Sequence, residues 1–343
     1  MTDAIRFCRS ADGTQLGYSV LGQGRPLLVL PSWWMSPEAD RQRLIGRDFW
    51  RELGSGRRII TYDLRGVGVS SRKVDDVSLD RQTEDLAAVI DHLGIPLIDL
   101  LCFSDSCATG ITFAASNPGR VAHLALYNPC AYVPAPVGWR HISVWTSFIE
   151  ADWALASRCL AQLLYPKGPL EAQESSTKSI RATQSPAVAL KYLEFVNTYD
   201  VRSEMEKLSL PVLVISREGP GRTPLIPRET VQRVATAIPG ATFIAYDAAS
   251  AACPYYQCRP YLAAVRDFLA DSSRELPIHP TLSPREIEVL GLVAKGKTNA
   301  EIAENLVISK NTADRHVSNI LAKTGSANRA QAVLYAARHF LVG

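Results

Sequence analysis

The sequence predicts an α/β fold, a doubly wound and mostly parallel sheet with a helical insertion, joined to a small all-α domain. Three observations carry this reading. Short apolar runs alternate with helix-length segments from Leu27 to Leu269. The alternation stops between Val133 and Lys207, where only helical patterns occur. After residue 280 four short helices begin, each at its own capping residue.

Ile5–Arg9 and Leu16–Leu21 flank an Asp12-Gly13 turn, a hairpin signal. Leu27–Leu30 is apolar throughout, as a strand covered on both faces must be. Arg58–Tyr62, Ile98–Phe103, Val121–Tyr127, Pro211–Ser216 and Thr242–Tyr246 repeat that type, and helices are expected near Ser36–Leu53, Leu79–Leu93, Asp105–Asn117, Arg228–Ala237 and Tyr255–Leu269. Asp271–Pro280 is polar and proline-bearing, as interdomain linkers are. The boundaries drawn are residues 1–271 with a lid at about 133–207, a linker at 272–280, and a helical domain at 281–343.

In the helical domain, Ser283-Pro-Arg-Glu286, Thr298-Asn-Ala-Glu301 and Asn328-Arg-Ala-Gln331 read as capping boxes, and Ser309 opens the remaining helix. Ile287, Leu290, Val293, Ile302, Leu306, Ala313, Val317, Ile320 and Leu321 form the inward stripes. Asn311, Asp314, Arg315 and Ser318 then point outward from the third helix, and the short Asn305–Ile308 turn makes a helix-turn-helix. A helical protein-interaction module is the alternative, since similar caps serve any helix.

Leu282-Ser-Pro-Arg-Glu-Ile-Glu-Val-Leu290, Lys295-Gly-Lys-Thr-Asn-Ala-Glu-Ile-Ala303, Ile308-Ser-Lys-Asn-Thr312, His316, Ile320, Lys323 and Asn328-Arg-Ala together closely resemble the LuxR-type DNA-binding domain. The resemblance implies a recognition helix at Ser309–Thr324, and DNA contacts from Asn299, Asn311, Thr312, Arg315, Ser318 and Lys323. It also implies a last helix, Asn328–Phe340, of the kind used for dimerisation. One departure stands out. Ala313-Asp314 replaces the family's usual Val-Lys, so a carboxylate stands where a lysine would face DNA.

Upstream, Asp63-Leu-Arg-Gly-Val-Gly-Val-Ser70 resembles the loop after the fourth strand of the α/β-hydrolase fold. Leu100-Leu-Cys-Phe-Ser-Asp-Ser-Cys-Ala108 and Phe113-Ala-Ala-Ser-Asn-Pro-Gly-Arg-Val121 resemble its nucleophile elbow and the helix behind it. Ser104 falls at the nucleophile position. A serine needs an adjacent base, normally a histidine held by an acid. The family's histidine loop here reads Tyr246-Asp-Ala-Ala-Ser-Ala-Ala-Cys-Pro254, with Ala251 or Ala252 at the histidine position. Glu218 is the nearest acid, although Gly219 fits the register better. His92 and His123 read as structural, and His141 is the one histidine placed to enter the cleft. Cys102 and Ser106 replace the elbow glycines, Pro31-Ser32 replaces the oxyanion motif, and Asp105 adds charge of the wrong sign beside the oxyanion amide. The expectation is a non-catalytic fold with a ligand pocket lined by Ser32, Trp33, Ser104, Asp105, Trp139, His141, Trp145 and Phe148. Trp153 reads as packing between lid and core.

Composition sets the compartment. Seven scattered cysteines lack paired zinc spacing and read as thiols of a reducing cytosol. No apolar run is long enough to span a bilayer, and Met1–Ser10 lacks a signal-peptide core. Net charge is +3, and residues after 280 carry 8 basic against 5 acidic side chains, so the excess sits on the helical end. Taken with what the two resemblances imply, these features point to a cytoplasmic, homodimeric regulator that binds double-stranded DNA and a small apolar or aromatic effector, with no cofactor, metal or membrane partner. The competing reading is a serine hydrolase that also binds DNA and destroys its own inducer. A third is a constitutive regulator whose first domain only dimerises.

Overall fold

The structure is a computed structural model. It describes residues 4–41, 44–132, 142–165, 168–218, 226–247, 255, 258–270, 282–324 and 326–338. Among the described residues, eight strands form one sheet: β1 (Arg6–Arg9), β2 (Gln15–Leu21), β3 (Arg25–Leu30), β4 (Arg57–Tyr62), β5 (Ile98–Phe103), β6 (Val121–Tyr127), β7 (Val212–Glu218) and β8 (Thr242–Asp247). Their order is β1-β2-β4-β3-β5-β6-β7-β8. The first two pairings, β1 with β2 and β2 with β4, are antiparallel, and every later one is parallel. Every residue of β5 and β6 is buried, whereas β8 at the edge is half exposed. Continuous apolar sequence therefore marks the strands that lie between two helical layers.

Helices α1 (Pro37–Arg41) and α2 (Leu44–Leu53) follow β3, where the sequence suggested one helix. Residues 42–43 between them lie outside the described residues, and a Cβ on Gly46 would stand 2.3 Å from the Asp40 carbonyl oxygen. Next come α3 (Leu79–His92) and α4 (Ser106–Ser116). The lid region holds α5 (Ile142–Ala151), α6 (Trp153–Leu164), α7 (Leu170–Thr183), α8 (Pro186–Thr198) and α9 (Arg202–Met205), with no strand among its described residues. α10 (Arg228–Ala237) joins β7 to β8, and α11 (Arg259–Ala270) ends the sheet region. That last helix begins later than expected, because Tyr255 is turned aside to donate its hydroxyl to Asp40 Oδ2 at 3.1 Å.

The remaining helices are α12 (Pro284–Ala294), α13 (Asn299–Leu306), α14 (Lys310–Thr324) and α15 (Arg329–Arg338). The buried side chains of the described residues fall into two clusters, one from Cys8 to Leu269 and one from Leu282 to Ala336. The expected linker at 272–280 lies outside the described residues. Ser283 and Thr298 form complete capping boxes with Glu286 and Glu301. The third box differs. Asn328 caps the Gln331 amide, but Gln331 Oε1 accepts from Ala327, one residue earlier.

Candidate functional site

β5 ends at Phe103 and α4 begins at Ser106, so the chain reverses within two residues. Ser104 takes the strain of that reversal at φ +56°, a region costly for any residue with a side chain. Its amide donates to the Tyr127 carbonyl at 2.8 Å, which pins the turn to β6. Close packing behind it depends on Gly110, where a Cβ would stand 2.4 Å from Cys102 Sγ. Cys102 is thus accommodated by a glycine on the facing helix. Ser104 is half-buried at the C-terminal end of the strand.

The neighbouring residue, Asp105, turns its carboxyl onto its own amide and onto the loop after β3. Asp105 is 2% exposed. Its Oδ1 accepts from the Ser32 hydroxyl, its Oδ2 accepts from the Trp33 amide at 3.3 Å, and its own amide adds a third donor. In acyl-transfer sites of this geometry, the amide after the nucleophile and one from the loop after the third strand hold the oxyanion. Here a carboxyl of the chain itself takes both. Burial pushes that carboxyl up to about 7, against the lowering effect of the three hydrogen bonds.

Trp33 is buried and lies parallel to Tyr192 of α8, with centroids 6.2 Å apart, so sheet and lid meet at this pair. Its Nε1–H is buried without an acceptor among the described residues. Trp145 and Phe148 lie half-buried on α5 with ring centroids 6.0 Å apart, packed against the core, and Trp153 also packs there. Trp139, His141 and the loop containing Ala251 and Ala252 lie outside the described residues, as does the side chain of Glu218.

A second buried carboxyl lies on the loop after β4, which the sequence reading left unassigned. Asp63 accepts from Ser36 Oγ and the Val69 amide, each at 2.9 Å, and burial raises it to about 6. Its signal was Gly68, at φ +53°, where any Cβ would strike Asp63 Oδ2. The two remaining described histidines of this region serve structure. His92 sets its ring edge against Tyr18, and His123 Nδ1 lies 2.8 Å from Asp99 Oδ1 in full burial.

The helical domain presents a second face. Asn311, Arg315 and Ser318 lie exposed along α14 at the spacing that aligns side chains on one side of a helix. Each of the other residues predicted to touch DNA has a partner within the domain, although Thr312 and Lys323 remain exposed. Asn299 Nδ2 donates to Asp314 Oδ1 at 2.6 Å, and Asn299 Oδ1 accepts from Arg329 Nη1 at 2.9 Å. Asp314, expected to face outward, is half-buried by this pairing. Lys323 Nζ lies 2.8 Å from Glu286 Oε2, which also caps the Ser283 amide. The Thr312 hydroxyl bonds Ser309 Oγ at 2.7 Å, and that oxygen also receives the Thr312 amide. Short polar side chains near helix starts find nearby backbone and side-chain partners, which the sequence pattern alone does not rank.

Residues 25–250 match the family model described as alpha/beta hydrolase fold, and residues 280–336 match that of bacterial regulatory proteins, luxR family. The transcriptional regulatory protein LiaR of Bacillus subtilis is 48% identical over 64 residues, which is 19% of this chain and 30% of that protein. The response regulator protein VraR of Staphylococcus aureus is 46% identical over 65 residues, 19% of this chain and 31% of that one. The chain thus spans under a third of those relatives. Among solved structures, a bromoperoxidase from Bacillus anthracis superposes with a TM-score of 0.69 at 17% identity, covering 78% of this chain and all of that one. An enol-lactonase from Burkholderia xenovorans gives 0.65 at 20% identity, covering 77% and 99%. At these identities the likeness shows the fold.

Proposed function

The chain belongs to the alpha/beta hydrolase fold family, and from that premise we propose that it is a ligand-responsive transcriptional regulator whose hydrolase fold binds instead of cleaving. The observation that carries this reading is the Asp105 carboxyl hydrogen-bonded to the Trp33 amide, beside a luxR-family domain on the same chain. A filled oxyanion site cannot stabilise a tetrahedral intermediate. The pocket that remains takes a small apolar or aromatic molecule against Trp33, Trp145 and Phe148, with Ser104 as a hydrogen-bonding group. Arg315, Asn311 and Ser318 contact operator DNA through the major groove, in a cytoplasmic homodimer joined through the last helix.

The test uses the full chain. DNA selected from a random pool supplies the operator, and the six tryptophans, all before residue 154, report small-molecule binding. A compound that shifts tryptophan emission should change affinity for that DNA by some factor, and the DNA should change affinity for the compound by the same factor. Equal DNA affinity with and without every emission-active compound would overturn ligand control.

Ser104 retains the strained elbow, which favours a second reading, an active serine hydrolase that degrades its own inducer. Turnover of an activated ester, lost in Ser104→Ala, would establish it. The expectation is no turnover in either protein.

A further inference from the structure

We propose that Asp105 is the specificity-determining residue of the pocket: its carboxylate fills the cradle that would receive a ligand's acyl oxygen, so the cleft reads hydrogen-bond donors where a hydrolase reads acceptors. This deepens the pocket reading above and rests on it.

Three donors converge on this one group, from Ser32 Oγ, the Trp33 amide and the Asp105 amide. Ser32 and Asp105 are both buried, so the donors are desolvated and aimed at a fixed point. An anion brought by a ligand would find those donors taken and a carboxylate in its way. Burial makes like charges repel more strongly than in water, so the exclusion is steep. A ligand amine or hydroxyl meets the opposite situation, because a carboxylate has lone pairs for about four donors and three are supplied here. The remaining direction is left for a guest.

A second observation falls on a residue that donates to Asp105. Trp33 gives its backbone amide to Asp105, while its buried indole Nε1–H meets no acceptor among the described residues. Buried donors are nearly always satisfied in proteins, so an unmet one on the residue that donates to Asp105 is informative. The pocket therefore offers one acceptor, at Asp105, and one donor, at Trp33. The matching chemistry is an aromatic or apolar molecule with a terminal amine or hydroxyl.

The test compares two probes of equal size and opposite chemistry, benzylamine and benzoate, on the full chain at pH 8, followed by tryptophan emission. The native chain should bind benzylamine about tenfold or more tightly than benzoate, the scale of one charge-assisted hydrogen bond. Asp105→Ala, which frees the cradle, should reverse the order. Asp105→Asn keeps the cradle filled without charge, so it should lose the benzylamine preference and still exclude benzoate. It keeps the test decisive if the alanine variant unfolds. An unchanged preference in either folded variant overturns the proposal, and so does silence of both probes with all three proteins. Failure of the DNA coupling with the reversal intact would sink only the regulatory reading. Coupling without reversal would sink only this one.

Discussion

Asn299, the first residue of α13, donates through Nδ2 to Asp314 Oδ1 at 2.6 Å, and Arg329, the first residue of α15, holds the other end of the same amide. One asparagine thus joins the starts of two helices to the side of α14 that adjoins its exposed polar stripe. The carboxylate that replaces a lysine acts within the domain as a strut.

Asp314→Lys removes that acceptor and adds a cation. The helical domain should melt earlier, and if the new side chain reaches a phosphate the logarithmic salt dependence of nonspecific binding should steepen by about 0.9. Binding isotherms at several salt concentrations read this directly. An unchanged slope would place position 314 away from the DNA backbone.

Arg315 is exposed on α14 and shares its face with Asn311 and Ser318. Arg315→Ala should cost about 1–3 kcal/mol on the selected operator and relax specificity at one base pair. Uniform weakening across all sequences would reassign Arg315 to a phosphate contact.

Val307 closes α13 in the left-handed region at φ +53°, with 90% of its surface exposed. A β-branched residue is poorly suited to that conformation, and its side chain recovers little by burial. Val307→Gly should stabilise the helical domain by about 1 kcal/mol, readable as a raised Tm. Loss of stability would mean that the turn relaxes out of the left-handed region in solution.

Asp63 and Asp105 keep their protons up to about 6 and about 7 in the folded chain, whereas an unfolded chain releases them near pH 4. Folding therefore takes up protons between about pH 4 and pH 7, and stability from these groups falls as pH rises through that window. Each group removes at most about 1.4 kcal/mol per pH unit there. The difference in Tm between Asp105→Asn and the native chain isolates one group and should grow in the variant's favour from pH 5 to pH 7. A difference independent of pH would show Asp105 already ionised at pH 5.

The sheet was legible because β3, β5 and β6 are apolar at nearly every position, a pattern that burial on both faces imposes and little else produces. The elbow was legible because Ser104 sits between such a strand and a helix rich in small residues. The hydrogen bond from Trp33 to Asp105 was not, since 72 positions separate the partners and only the parallel pairing of β3 with β5 brings them together. The same holds for Asn299, Thr312 and Lys323. Their spacing suits a DNA face, but spacing does not reveal that Asp314, Ser309 and Glu286 reach them first. Among the expected DNA contacts, Thr312 and Lys323 stay exposed although bonded within the domain, whereas Asn311, Arg315 and Ser318 are exposed and lack such a neighbour among the described residues.

At the opposite rim of the sheet, Arg25, Arg57 and His123 converge on the fully buried Asp99, and Arg57 also donates to the Leu269 carbonyl near the end of α11. These contacts lie at the strand starts, the far pole from Ser104. The chain therefore leaves this fold from a point riveted to the sheet, about 18 Å of helix away from where α11 begins. For protein engineering this makes Ala270 a natural splice junction. A fluorescent or enzymatic reporter grafted after it would hang from a rigid stalk, leaving the walls around Trp33 and Ser104 as they are.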